Sequence, residues 1–324
     1  MRRRAFVALC GSMALVPRVL AQSARVYRVG LLSPGVPITE SNPQSAPFLK
    51  GMAEHGYNAG HNLVIERRGA MGRTADLPRL AEELVAARVE ALVTIGYPPA
   101  VAAKATGIPT VAASGVGDPV ATGLVESLAR PGGTVTGISD NATELSTKRL
   151  GLLKELLPNL RRVAMLWNQD DLGMTLRSRS SAAAAESIGV AVQALGVREP
   201  NDFETAFSAM VTEKPDAILM VADALTVLNR KRVFEFAAAH RLPAIFESDF
   251  HVRDGGLMSY GADVGESFSR AAALTDRILR GAKPANLPFE QPTRFVFALN
   301  LRTARSINLT IPPTLLARAD EVIE

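Results

Sequence analysis

Along the chain, short apolar or β-branched runs alternate with longer stretches in which apolar residues recur every three or four positions. Runs at 26–32, 63–66, 91–95, 110–112 and 135–138 predict strands. Stretches at 47–55, 74–87 and 98–106 predict helices between them, the second with Thr74 and Asp76 as start signals. Such a succession implies parallel sheet with right-handed crossovers. The rhythm then restarts. A helix at 145–157, stopped by Pro158, leads to strands at 162–167, 190–195, 217–221 and 244–246, with helices at 172–188, 202–213 and 225–240 between them. A third passage gives a strand at 256–260, a helix at 264–281, a Pro-rich connection at 283–292, a strand at 294–299 and a short tail helix.

Two such blocks of similar length, without a shared residue repeat, predict an α/β chain of two Rossmann-like lobes with parallel sheets. The third passage follows the second block, so the chain is expected to cross between the lobes more than once, through a multi-strand hinge. Residues 25–138 with about 257–291 are assigned to lobe 1, and 139–256 with about 292–324 to lobe 2. Pro131-Gly132-Gly133 and Gly137-Ile138-Ser139 stand near the first crossing.

Residues 1–21 do not share this rhythm. Arg2, Arg3 and Arg4 precede an apolar stretch at 5–16, Pro17 breaks it, and Val19-Leu20-Ala21 offers a small residue before a cut. The segment reads as an export leader cleaved after Ala21. Arg3-Arg4-Ala5-Phe6-Val7 is a partial match to a twin-arginine signal, with an ordinary arginine-rich leader as the alternative. Cys10, the one cysteine, follows Leu9 rather than a small residue and sits inside the apolar stretch, so it reads as leader filler and not as a lipid-attachment site. The mature chain then has neither thiol nor disulfide, which suits a bacterial periplasm.

The leader changes what the charge means. Lys and Arg number 36 against 32 Asp and Glu, a formal +4 that invites a nucleic-acid reading. Four of those arginines lie in the leader, and 32 bases then face 32 acids. Nothing remains for a bulk electrostatic attraction to nucleic acid or anionic lipid. A hydrophobic content of 47% with 21% charged residues is too apolar for disorder. The 324 residues allow about two domains, and no run after the leader approaches the ~20 apolar residues a membrane span needs.

Catalytic constellations are absent from the pattern. His55, His61, His240 and His251 include no i, i+4 pair of the kind that builds a zinc helix, and no serine sits in a Gly-x-Ser-x-Gly elbow. Gly115-Val116-Gly117-Asp118-Pro119 begins like a dinucleotide loop but lacks the third glycine. No enzyme, cofactor or metal is expected.

Polar and aromatic residues cluster instead just after predicted strands, where open α/β sheets bind ligands. The first lobe presents Ser33-Pro34-Gly35, Gly96-Tyr97-Pro98 and Ser114 with Asp118. The second presents Trp167-Asn168, Asp223-Ala224 and Phe246-Glu247-Ser248-Asp249. These six loops are expected to converge on one cleft. Ser33 is either a cap or a ligand donor. Tyr97 is a ligand stacker or a surface cover, and Trp167 is core or a flat apolar floor. Asp118 starts a turn or meets the ligand, and Asp223 meets a ligand cation or caps a helix. Asn168, Pro34, Gly96, Ser114, Ala224, Phe246 and Ser248 complete the candidate lining, while Glu247 and Asp249 read as solvated. Tyr97, Trp167 and Phe246 point to a flat organic solute, and Ser33, Ser114 and strand-end amides to a carboxylate on it. An aromatic amino acid, or a related aromatic or short organic acid, fits best.

Several runs resemble the ABC-transporter substrate-binding protein family that includes tryptophan- and tyrosine-binding lipoproteins. They are Asp118-Pro119-Val120, the run at 127–137, Lys154-Glu155-Leu156-Leu157-Pro158, Gly255-Gly256-Leu257-Met258-Ser259-Tyr260-Gly261, the run at 278–284, and Leu309-Thr310-Ile311-Pro312-Pro313. The resemblance covers nearly the whole mature chain in order. It implies a type I periplasmic-binding fold, two lobes closing on a small solute, and delivery to an ABC permease in the inner membrane by what is expected to be a monomer. A ligand-sensing subunit for a membrane receptor is the alternative from another class. A repressor of this fold would carry a helix-turn-helix where the leader stands.

Overall fold

Strand β1 (Tyr27–Ser33) shows why the first lobe forms as it does. Its run is apolar on both faces, as a central parallel strand requires, so Val29 and Leu31 enter one core while Leu32 enters another. The computed structural model describes residues 25–40, 42 and 44–324. The expected leader, with Cys10 and the cut after Ala21, lies outside the described residues. From β1 the chain runs through α1 (Ser45–Glu54), β2 (Leu63–Gly69), α2 (Leu77–Ala86), β3 (Ala91–Ile95), α3 (Tyr97–Thr106), β4 (Thr110–Ser114) and β5 (Val135–Gly137). The sheet order is β2-β1-β3-β4-β5, with every pairing parallel.

The second lobe follows with α4 (Ala142–Leu156), β6 (Arg162–Asn168), α5 (Leu172–Ser187), β7 (Ala191–Val197), α6 (Asp202–Glu213), β8 (Ala217–Met220), α7 (Ala224–Leu228), α8 (Arg230–Ala239), β9 (Ala244–Phe246), α9 (Asp249–Arg253) and β10 (Met258–Ala262). Then come α10 (Val264–Leu279), β11 (Phe295–Asn300), α11 (Leu301–Ser306), α12 (Pro313–Leu316) and β12 (Glu321–Ile323). The seven-stranded sheet is ordered β12-β11-β10-β9-β8-β6-β7, and only the β10–β11 pair is antiparallel. One apolar core lies between this sheet and α4, α5 and α11, and another between it and α6 and α8.

The 257–262 segment departs from the expected division. It was expected in lobe 1, but β10 pairs parallel with β9 and antiparallel with β11, inside the second sheet. With it, the second sheet repeats the order of the first: β7-β6-β8-β9-β10 matches β2-β1-β3-β4-β5. Periodicity identifies a strand but does not say which sheet takes it. The return to the first lobe comes one element later. Asp263 caps α10, accepting from the Glu266 N–H at 3.1 Å, and α10 lies on α1, β3 and β4. The approach is close: a Cβ at Gly51 of α1 would stand 2.8 Å from the Ala272 Cβ.

Three segments therefore join the lobes, just after β5, between β10 and α10, and just before β11. They are hydrogen-bonded to one another. The Ser139 N–H donates to the Glu290 carbonyl at 2.8 Å, the Glu290 N–H to Gly137 at 2.8 Å, and the Asp263 N–H to Arg294 at 3.0 Å. The helix expected at 225–240 is two, α7 and α8. Asn229 interrupts it: the Asn229 amide donates back to the Leu225 carbonyl at 2.9 Å while its oxygen accepts from Arg232. Neither α9 nor β12 is marked by the apolar pattern. Among the described residues no helix is long and apolar enough to cross a membrane.

Candidate ligand-binding cleft

The carboxyl ends of both sheets face each other across the hinge. On the first lobe three strand exits form one surface. The Gly96 N–H donates to the Ser114 carbonyl at 2.8 Å, a Cβ at Gly96 would lie 3.7 Å from Pro34 Cγ, and one at Gly115 would lie 3.5 Å from Gly96. Buried Ser33 accepts the Gly35 N–H on its hydroxyl at 3.1 Å. Gly96 precedes α3 with a φ of +85°, and Pro98 and Pro99 follow Tyr97 in the first turn. The prolines remove two of the N–H groups a helix start usually offers an anion, so hydroxyls and loop amides matter more here.

On the second lobe, Asn168, Asp171 and Asp223 stand at the exits of β6 and β8. The Asn168 amide donates to Asp223 Oδ2 at 2.6 Å. Asp223 Oδ1 accepts from the Thr226 N–H at 2.8 Å and the Asp223 N–H donates to the Thr226 hydroxyl at 2.9 Å, closing a capping box on α7. Asp171 is only 3% exposed and caps α5 through the Met174 N–H at 3.2 Å. Burial, with the charge of Asp223 second, raises the Asp171 carboxyl to about 7. Burial also raises Asp223, against the hydrogen bonds it accepts.

The lobes touch here. A Cβ at Gly173 would sit 3.2 Å from Tyr97 Cβ and 3.2 Å from the Val116 carbonyl, and one at Gly117 would sit 3.2 Å from the Gly173 carbonyl. The half-buried Tyr97 phenol is raised, by burial first and then by the charge of Asp171. Farther along the seam Gly72 lies against Leu228.

Behind Asp171 the structure buries an ionic cluster. Glu247, at the exit of β9, accepts from Arg149 of α4 at 2.9 Å, from Arg177 of α5 at 2.5 Å and from the Ala222 N–H at 3.1 Å. Arg177 also binds Asp140 of the first crossing, whose carboxylate accepts the Gly117 N–H at 3.3 Å from the first lobe. Arg149 donates further to the Tyr260 carbonyl at 2.7 Å. Burial alone would raise Glu247; Arg177 and then Arg149 hold it below its ordinary value instead. Both lobes and the hinge thus meet in one hydrogen-bonded group.

The model of the family described as ABC transporter substrate binding protein matches residues 44–323. The chain belongs to that family. A tyrosine-binding protein from Clostridioides difficile (strain R20291) is 26% identical over 263 residues, 81% of this chain and 75% of the relative. The structure of an ABC domain in complex with L-Trp from Streptococcus pneumoniae superposes with a TM-score of 0.82 at 26% identity, covering 92% of this chain and all of that one. A conserved domain protein from Vibrio cholerae O1 biovar El Tor strain N16961 does so with a TM-score of 0.85 at 25% identity, over 92% and 100% of the two chains. The architecture is the type I periplasmic-binding fold that the sequence resemblance implies.

For a substrate-binding protein, the candidate residues divide into three groups. Ser33, Pro34, Gly96, Tyr97 and Ser114 share the first-lobe surface; Asn168, Asp223 and the first residue of α7, Ala224, share the second. Trp167 packs its partly buried ring against the core beneath α4 and α5, with its indole nitrogen buried and unbonded. Phe246, expected at the cleft, is in the core: it is fully enclosed, edge-on to Phe234 and stacked on His251. A three-residue strand with every side chain buried leaves its last residue no cleft to face. Ser248 starts α9, and its carbonyl is engaged with the His251 ring. Exposed Asp118 holds a turn through the Val120 and Ala121 N–H groups and borders an open hollow with Ser139 and Asn141 of the hinge. Glu247, expected in solvent, is 6% exposed, because two arginines from other elements cover it. Sequence reasoning passed over Arg149, Arg177, Asp140 and Asp171. Of these only Asp171 carries a local signal, as an acid directly before a helix start.

Proposed function

We propose that this protein is the exported solute receptor of an ABC uptake transporter and captures an aromatic amino acid between its lobes for delivery to an inner-membrane permease. One observation carries the choice of ligand. Asp171 brings a carboxylate to the inter-lobe contact of Gly173 with Tyr97, Asp223 is near enough for its charge to act on Asp171, and both guanidiniums of the buried cluster bind Glu247 and Asp140 instead. An ammonium group supplies the missing positive charge, and the Tyr97 ring a flat surface. Ser33, Ser114 and the neighbouring loop amides take the carboxylate. The relatives named for tyrosine and bound to L-Trp support the same class.

In this reading residues 25–138 with 264–290 move as one lobe and the rest of the described chain as the other, turning on the three crossings. Ligand bound to one wall stabilises the closed form through contacts from the other. The arginine-led segment at 1–21 directs export to the periplasm, and the mature receptor works as a monomer without nucleic acid or cofactor.

Calorimetric titration of the mature protein tests the ligand class. L-tyrosine, L-tryptophan and L-phenylalanine are to be compared with the corresponding aromatic acids lacking the amino group. Loss of a charge-assisted hydrogen bond predicts roughly 10- to 100-fold weaker binding of the deaminated acids. Equal affinity for both series removes the carboxylate pair from the site.

A further inference from the structure

The inter-lobe end of the second sheet gathers four carboxylates, Asp140, Asp171, Asp223 and Glu247, around two guanidiniums, Arg149 and Arg177. The guanidiniums are committed. Arg149 binds Glu247 and the Tyr260 carbonyl, and Arg177 binds Glu247 and Asp140. Asp223 has the Asn168 amide and the Thr226 cap. Asp171 has backbone N–H partners alone, and no cation bonds its carboxylate among the described residues. Among the described residues the charges that act on it are those of Asp223, which is bonded to Asn168, and of Arg177 on the same helix, which is turned to its two partners, and Tyr97 approaches from the first lobe. Arg198, from the exit of β7, pairs at 3.2 Å with Asp170 on the exposed side. Six ionised groups would leave a buried charge of minus two, which a low-dielectric seam between lobes does not tolerate.

We propose that Asp171 holds a proton in the empty cleft and gives it up when the ligand's ammonium enters between it and Asp223, so that capture of the solute releases one proton. The inference rests on the amino-acid reading of the cleft. The O–H bond of the Asp171 carboxylic acid breaks, the proton passes to bulk water, and the carboxylate left behind pairs with the ammonium, with no covalent bond to the ligand. Because burial and Asp223 place this carboxyl near 7, the exchange falls within an ordinary working pH. Asp171 thereby ties affinity to pH, and it does so only for a ligand that brings a cation.

Titration of L-tyrosine or L-tryptophan in buffers of different ionisation enthalpy measures the protons exchanged. About one proton per ligand is expected at roughly pH 6, falling toward none above about pH 8, and affinity should drop about tenfold for each pH unit below 7. Asp171→Asn preserves helix capping and should abolish both proton release and the pH dependence. Asp223→Asn removes the neighbouring charge and keeps its cap, so it should move the midpoint to lower pH, which gives a second readout should the first variant fail to fold. Amino-acid binding with the same heat in every buffer overturns the proton exchange and leaves the ligand class standing. Persistence of the pH dependence in Asp171→Asn overturns the assignment to Asp171. No binding of any aromatic amino acid at any pH overturns the reading of the cleft and this inference with it.

Discussion

His251 is fully enclosed, stacked 4.0 Å from Phe250 and 5.3 Å from Phe246, with Nδ1 against the Ser248 carbonyl at 3.2 Å and Nε2 buried without a partner. Burial pushes its pKa down to about 4. The folded protein therefore keeps this ring neutral where the unfolded chain, titrating near 6.5, takes up a proton. Its contribution is intact above about 6.5 and is lost as pH falls toward 4, on the order of 3 kcal/mol across that window. Urea unfolding of His251→Leu should show a correspondingly shallower loss of stability between about pH 7 and 4 than the parent. At this scale the sequence was least informative. Phe246-Glu247-Ser248 looks like a strand running out into solvent, and only Arg149 and Arg177, far off along the chain, make Glu247 internal and leave Phe246 in the core. Residue type told that Phe246 and Trp167 are apolar, and nothing in their neighbours told which face they occupy.

The elements were far more legible, because burial on two faces or one stamps a period on the sequence. The strands and helices of both blocks are where that period puts them, and the exceptions have local causes: Asn229 splits α7 from α8, and β12 is three residues long with no side chain buried. α5 stands where the helix at 172–188 is expected, but the side it buries does not show in the sequence. Its buried face is built from Gly173, Met174, Ser178, Ser181 and Ala185 together with Arg177, so Met174 is the one large apolar side chain on the side that carries the ionic cluster. The five-residue α7 depends on its capping box, which Asp223 closes, and in the proposed site the same carboxylate meets the ligand. Asp223→Ala should lower stability by about 1–2 kcal/mol as well as weaken amino-acid binding, whereas Asp223→Asn, which still caps and gives up only the oxygen that accepts from Asn168, should weaken binding at a smaller cost in stability. Chemical denaturation beside ligand titration distinguishes them.

For the molecule as a whole, the contact between Gly173 and the Tyr97 and Val116 backbone and side-chain atoms sets how near the lobes can come. Gly173→Val should hold them apart, with ligand affinity reduced about tenfold or more and small-angle scattering that stays at the larger, ligand-free dimensions when L-tyrosine or L-tryptophan is added. The two-lobe plan and the repeated crossing were readable from the restart of the strand–helix rhythm. The sheet that claims β10 was not, since it depends on matching strand orders that exist only once both sheets are assembled. The same threading has a consequence for how the molecule is made. α10 supplies Phe268, Ala271, Ala272 and Leu274 to the core of the first lobe, and β11 supplies Phe297 and Leu299 to that of the second. A chain emerging from its amino end has produced four-fifths of itself before either interior can be sealed. Both halves then mature almost together, and until that moment each shows apolar surface to whatever shepherds the nascent polypeptide.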